Sequence, residues 1–250
     1  MQRYFIQKEY FNKDHVTITG DASKHIRRVM RMKNGDQIIC CTEEGTCYVC
    51  ELEDITDESV KGKLVKEELK NVELPIHVTI AHGLPKGDKF EWVIQKGTEL
   101  GASQFIPFEA ERSIVKWDER KSVRKLDRWN KIALEAAEQS HRQFLPTVSN
   151  VHSLTLFLKE FSRYDQVIVA YEEASKVDEK SQLFSVLNKM NVGNTLLFIV
   201  GPEGGFSDRE IKLMEEHGAI ICGLGPRILR SETAPLYGLA AISYHFELMG

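Results

Sequence analysis

The sequence predicts an α/β protein in which a parallel sheet with flanking helices follows a smaller β-rich domain. Three observations predict it. From Ile76 onward, short apolar runs alternate with amphipathic stretches of helical length. Before that point the chain is a series of short β patterns punctuated by turns. Near the C-terminus two apolar runs each end in a glycine-containing turn that leads into a helix start, the strand–turn–helix rhythm of an open α/β sheet.

The early strand patterns are Arg3 to Gln7, His15 to Ile18, Gln37 to Cys41, Thr46 to Ile55 and Ser59 to Glu67, with turns at Asn34-Gly35 and Glu43-Glu44-Gly45. One helix interrupts them, Asp21 to about Met32, with Asp21 placed to cap it. This pattern suggests a small β-barrel-like domain. The charged stretch Glu67 to Glu73, before Pro75, reads as a linker. The strands beyond it are Ile76 to Ala81, Gln104 to Phe108, Gln166 to Ala170, Thr195 to Val200 and Ala219 to Cys222. The helices between and after them are Asp88 to Leu100, Ser122 to Ser140, Lys180 to Lys189, Asp208 to His217 and Ala234 to Leu248. Ser207 with Glu210 three residues on is a capping box; Ser231 or Thr233 can cap the last helix, which tolerates Pro235 in its first turn.

Composition narrows the classes. With 42% apolar and 28% charged residues the chain is an ordinary globular protein. No apolar run approaches the roughly 18 residues of a membrane span. The start, Met1-Gln2-Arg3-Tyr4-Phe5-Ile6-Gln7, looks like a first strand rather than a signal peptide, so a cytoplasmic protein is expected. The net charge of −4 means that a polyanion would have to be met by a local patch. Four of the five cysteines, Cys40, Cys41, Cys47 and Cys50, lie close in sequence. Strand alternation sends Cys47 and Cys50 to opposite faces, which suits no zinc knuckle; reduced, mostly buried thiols and no metal are expected.

Several familiar chemistries lack their signatures. There is no G-x-G-x-x-G after a first strand, Gly83 to Asp88 has the wrong spacing for a phosphate loop, and neither G-x-S-x-G nor H-E-x-x-H occurs. Basic residues, by contrast, are patterned. Lys24, Arg27, Arg28 and Arg31 fall on one helical stripe beside an apolar face of Ala22, Ile26, Val29 and Met30, an arrangement suited to RNA phosphates. A second basic run extends from Arg112 through Lys116, Arg120, Lys121, Arg124, Lys125, Arg128 and Lys131, with Trp117 and Trp129 interleaved. The helix ending Ala136-Ala137-Glu138-Gln139-Ser140-His141-Arg142 gathers polar groups at its C-terminal end, a shaped polar site or a plain helix end.

The chain resembles the SPOUT superfamily of S-adenosylmethionine-dependent RNA methyltransferases, and within it the RsmE-type branch that methylates uridine N3 of 16S rRNA. The residues that carry the resemblance are Gly201-Pro202-Glu203-Gly204-Gly205-Phe206-Ser207, the run Leu224 to Ala234, Glu138-Gln139-Ser140 followed by Arg142, and the basic helix followed by Lys33-Asn34-Gly35-Asp36. It covers essentially the whole chain. It implies a PUA-like β-barrel RNA-binding domain over residues 1–72 and a SPOUT-type α/β domain with a deep C-terminal trefoil knot over residues 73–250. It also implies the donor S-adenosylmethionine held by His82, Gly83, Val200, Gly201, Glu203, Gly204, Gly205, Leu224, Gly225, Ile228, Leu229, Ser231, Thr233 and Ala234. Expected partners are 16S rRNA or the small ribosomal subunit and a second copy of the chain, with no membrane and no DNA. The uridine N3 proton must leave. Glu138 is the candidate base, and Arg230, Arg142 and Arg112 are candidate anion stabilisers or phosphate clamps. A SPOUT enzyme acting on ribose 2′-OH or another RNA, and a non-catalytic RNA-binding ribosome-assembly factor, are the alternatives.

Overall fold

The computed structural model describes residues 1–113, 119–173 and 182–249, with the side chains of 119–121 left out. Lys116 and Trp117, the side chains of Arg120 and Lys121, and the predicted helix start at Lys180 lie outside the described residues. The chain divides into two compact units, Met1–Glu73 with Ala137–Leu145, and Leu74–Ala136 with Pro146–Gly250.

The first unit is built on a five-stranded sheet. Its strands are β1 (Arg3–Phe5), β2 (His15–Ile18), β3 (Gln37–Cys41), β4 (Cys47–Ile55) and β5 (Val60–Glu67), in the order β1-β3-β4-β5-β2. Strand alternation separates two apolar faces: Tyr4, Val16, Ile18, Ile38, Cys40, Cys50, Leu52 and Val60 pack together on one, and Ile39, Cys41, Cys47 and Val49 on the other. Cys47 and Cys50 thus do face opposite ways. The expectation of reduced thiols is corrected for one pair: Cys41 and Cys47 are directly opposite in the β3–β4 register and form a disulfide.

The basic helix also departs from its prediction. α1 (Gly20–Lys24) passes into a π turn over His25–Val29, and Arg31 takes a left-handed φ of 53° that stops it. The wider turn breaks the predicted stripe and turns the apolar face outward at its end. Ile26 is fully buried, whereas Val29 is 65% and Met30 38% exposed. Asp21 does not cap the helix but pairs with Lys24 at 3.0 Å, and Arg27 Nη1 is bound to Asp57 at 2.8 Å. Arg28 and Arg31 are exposed.

The second unit has an all-parallel path of strands in the order β12-β10-β11-β6-β7-β8. These are β6 (His77–Gly83), β7 (Gln104–Glu109), β8 (Thr147–Val148), β10 (Gln166–Ala170), β11 (Thr195–Val200) and β12 (Ile220–Cys222), with β9 (His152–Ser153) also paired to β7. The helices are α2 (Lys89–Glu99), α3 (Glu119–Gln139), α4 (Leu154–Glu160), α5 (Gln182–Leu187), α6 (Asp208–Glu216) and α7 (Ala234–Ser243). The sheet is buried on both faces. Along β11, Leu196, Phe198 and Val200 join a core with Phe90, Val93, Trp129 and Leu239, while Leu197 and Ile199 join another with Phe157, Phe206, Ile211 and Met214. Because β6, β10, β11 and β12 are parallel, their following loops gather at one sheet edge, where such folds hold ligands.

Candidate functional site

At that edge lies a cavity of about 490 Å³, walled by residues of the second unit. The loop after β11 forms one side. Gly205 has a φ of +66°, open to glycine and strained for other residues, and its amide donates to the Pro202 carbonyl at 2.9 Å. The exit of this loop is fixed by the predicted capping box: Ser207 Oγ accepts from the Glu210 amide and Glu210 Oε2 accepts from the Ser207 amide. Glu210 Oε1 accepts in addition from the Glu111 amide at 2.8 Å, and Arg112 Nη1 donates to the Gly204 carbonyl at 3.0 Å. Segment 110–113 is thereby tied to the first loop.

The loop after β12 forms the other side. It turns at Gly225, whose φ is +89°, and enters α7 through a tight turn in which the amides of Thr233 and Ala234 both donate to the Arg230 carbonyl. Thr233 holds the cap position without a side-chain cap, with Pro235 in the first turn.

Charged groups join the two loops. Lys89 Nζ, at the start of α2, lies 2.9 Å from Glu203 Oε1 of the first loop and 3.4 Å from Glu232 Oε2 of the second. Glu203 Oε1 accepts further from the Lys86 amide, and Glu232 Oε2 from Ser231 Oγ. Burial acts to raise both carboxyls, but Lys89 and nearby backbone amides prevail and hold them below the usual range; the Lys89 ammonium is pushed up, chiefly by its bond to Glu203. Behind the wall, the fully buried His82 ring has Nδ1 2.6 Å from the Gly83 carbonyl and Nε2 2.9 Å from the Ser231 carbonyl. Burial lowers its pKa, opposed by those carbonyls and by Glu203 and Glu232.

Of the predicted site residues, the cavity wall includes Arg112, Val200, Gly201, Glu203, Gly204, Gly205, Leu224, Ile228, Leu229, Arg230, Ser231 and Ala234. His82, Gly83, Gly225 and Thr233 are not on it. Gly83 backs the wall instead: a Cβ there would lie 2.5 Å from Pro202 Cδ, so only glycine lets the end of β6 pack under the first loop. Glu138 and Arg142 belong to the first unit and are also off the wall. Arg142 is already engaged: its buried guanidinium binds the Glu73 carboxylate, with Nη2 2.6 Å from Oε2, while its carbonyl accepts from Arg3 at 2.8 Å.

Sequence reasoning missed Lys89, Ala170, Tyr171, Glu172, Glu173, Pro202, Phe206 and Arg227, which also line the cavity. A signal for part of this was available. Ala170 ends a predicted strand, and a parallel strand delivers its following loop to the same edge. The resulting cavity offers backbone polar groups from the glycine loops, apolar surface from Val200, Leu224, Leu229 and Ala234, and cations at Arg112, Arg227 and Arg230. It lies in the range of roughly 300–1,000 Å³ typical of small-molecule sites.

Comparison with known proteins agrees with this architecture. Residues 72–243 match the RNA methyltransferase domain family, and residues 18–65 match the RNA methyltransferase PUA domain family. The chain is 50% identical to ribosomal RNA small subunit methyltransferase E of Bacillus subtilis, over 100% of this chain and 98% of that protein. It is 33% identical to the protein of the same name from Synechocystis, over 98% of this chain and 78% of that one. Among solved structures, the ribosomal RNA small subunit methyltransferase E of Neisseria gonorrhoeae, bound to S-adenosyl methionine, superposes with a TM-score of 0.83 at 27% identity over 97% of both chains. The fold is therefore the SPOUT-type α/β domain preceded by a PUA-like domain, and the protein belongs to the ribosomal RNA small subunit methyltransferase E family.

Proposed function

We propose that this chain transfers a methyl group from S-adenosylmethionine to N3 of a uridine in 16S rRNA of the small ribosomal subunit. The observation that carries the proposal is a single cavity walled by both glycine loops, with Arg230 and Arg112 on its wall. The residues present fit the donor: glycine-loop backbone groups for its polar atoms and Leu224 and Leu229 as apolar surface for adenine. When bound, the sulfonium supplies the methyl electrophile.

The chain's own part is orientation, exclusion of water and removal of one proton. Arg230 and Arg112 stabilise the uridine anion formed as the N3 proton departs, and Glu138 is retained as the candidate base. Arg142 fits an anion-stabilising role least well, because Glu73 already neutralises it. In the first unit, Lys24, Arg28 and Arg31 are exposed cations of the basic helix and are assigned to RNA phosphates, Lys24 and Arg27 contributing where RNA displaces their carboxylate partners.

Three further parts of the proposal rest on family resemblance. The first is a homodimer; the exposed apolar residues Tyr237, Tyr244 and Leu248 at the end of the chain support it. The second is the deep trefoil knot of the C-terminal segments. The third is residence in the cytoplasm with the ribosome; among the described residues no helix is long and apolar enough to cross a membrane.

Two measurements test the proposal. Calorimetric titration with S-adenosylmethionine should give a saturable heat; silence would favour an RNA-binding assembly factor. Nucleoside analysis of 16S rRNA from a deletion strain should show the loss of one N3-methyluridine, whereas loss of a 2′-O-methyl group would mean another SPOUT activity.

A further inference from the structure

The His82 ring is fully buried next to the end of β6 and is not part of the cavity wall. It nevertheless reaches the wall through one bond, since its Nε2 lies 2.9 Å from the carbonyl of Ser231, a residue 149 positions later in the chain. That carbonyl belongs to the loop that puts Arg230 and Ser231 into the cavity. On the loop's solvent side, the Ser231 hydroxyl donates to Glu232, which Lys89 draws toward Glu203. The loop is thus held at its rim by charges and from beneath by one imidazole. On its other side Nδ1 lies 2.6 Å from the Gly83 carbonyl; both neighbours are acceptors, so the ring serves Ser231 as the Nε2–H tautomer or as the imidazolium, and the edge of Phe90 packs against it.

We propose that His82 is a positioning residue for methyl transfer: its Nε2–H donates to the Ser231 carbonyl and fixes the loop that presents Arg230 and Ser231, without touching the donor. This rests on the methyl-donor reading of the cavity. The chemistry requires a donor at that point, because a buried carbonyl without one favours any loop position that lets water in. A shift of the loop by about 1 Å can cost roughly 100-fold in rate.

The test compares His82→Phe, which keeps an aromatic ring and removes the donor, with His82→Gln, whose amide nitrogen can reach the position of Nε2. Two readouts are taken at pH 7.5 on protein whose thermal unfolding remains cooperative. One is hydrogen exchange of the Thr233 and Ala234 amides without any ligand; the other is S-adenosylmethionine affinity by calorimetry, with kcat and KM on small-subunit rRNA. Expected are exchange at least tenfold faster and donor affinity about tenfold weaker in His82→Phe, with kcat falling further than affinity and His82→Gln staying near the unaltered protein. If His82→Phe exchanges and binds like the unaltered protein, or His82→Gln falls as far as His82→Phe, the positioning role is overturned while the pocket reading stands. If the unaltered protein gives no heat with the donor, the pocket reading is overturned and this role with it.

Discussion

Lys89 is one cation shared between two carboxylates that belong to different loops. A flexible ammonium with several donors can serve both at once, whereas replacement by Met leaves Glu203 and Glu232 facing each other across the rim. The three side chains are partly exposed, so solvent screening limits the loss in stability of Lys89→Met to about 1 kcal/mol at neutral pH. The sign with pH follows from the depressed carboxyls. Stabilisation is complete above the ordinary glutamate range and fades as the pH falls through their lowered values. Urea unfolding of both proteins from pH 7 down to pH 3 should therefore show the difference vanish on the acid side; a gap that persists or widens there would remove the ion-pair explanation.

Arg142 illustrates what its sequence neighbourhood could not reveal. Glu138-Gln139-Ser140 and Arg142 read as a polar constellation, but the carboxylate that claims Arg142 is Glu73, far away in sequence in the stretch read as a linker. Removing one partner of such a buried pair costs about 3–5 kcal/mol. Arg142→Ala should lower the denaturant midpoint accordingly, and any loss of methyl transfer should track the loss of folded protein. Full stability with abolished activity would return Arg142 to the catalytic group.

Among the elements, helix α7 depends on a residue that helix propensity disfavours. Gly238 lies against Phe198 of β11 so closely that an added Cβ would be 2.5 Å from the ring. On an exposed helix, glycine to alanine gains up to about 1 kcal/mol. Here overpacking dominates, and Gly238→Ala should destabilise by roughly 1–3 kcal/mol in equilibrium unfolding. A stabilised variant would mean that Phe198 can move aside at little cost. Element legibility followed how local the determinants are. The capping box of α6 was readable because Ser207 and Glu210 are three residues apart and satisfy each other. The π turn after α1 was not, because the same residues would fit an unbroken helix until Arg31 turns left-handed. Strands β8 and β9 are two residues each, too short to show a period. Helix α4 was missed although Ser153 caps it, since Leu154-Thr155-Leu156-Phe157-Leu158 is as strand-like in composition as it is helical.

At the scale of the whole molecule, the α/β rhythm was legible from apolar periodicity and the two glycine-containing turns from the residues at the strand ends, while the named wall residues came from the family resemblance. Chain routing was not. Residues 137–145 belong to the first unit although they interrupt the sequence of the second. Within that unit, Glu73 accepts hydrogen bonds from the amides of Gln143 and Phe144 as well as from Arg142, and the Phe144 ring covers Gly45. Cutting the chain after Glu73, one residue beyond the predicted boundary, thus deprives 137–145 of its partners. A fragment beginning at residue 74 should melt at a lower temperature than the full chain and bind a hydrophobic dye at Phe144. A fragment as stable as the whole would show that 137–145 repacks without residues 1–73.

Cys222 closes β12 as a fully buried thiol immediately before the loop that carries Arg230, and every other cysteine of the sequence precedes residue 51. The larger domain consequently contains a single built-in chemical stopwatch. Alkylation at this position, read peptide by peptide by mass spectrometry, counts how often the end of β12 comes open. The clock needs no engineered label. A ligand that closes the cavity should slow it.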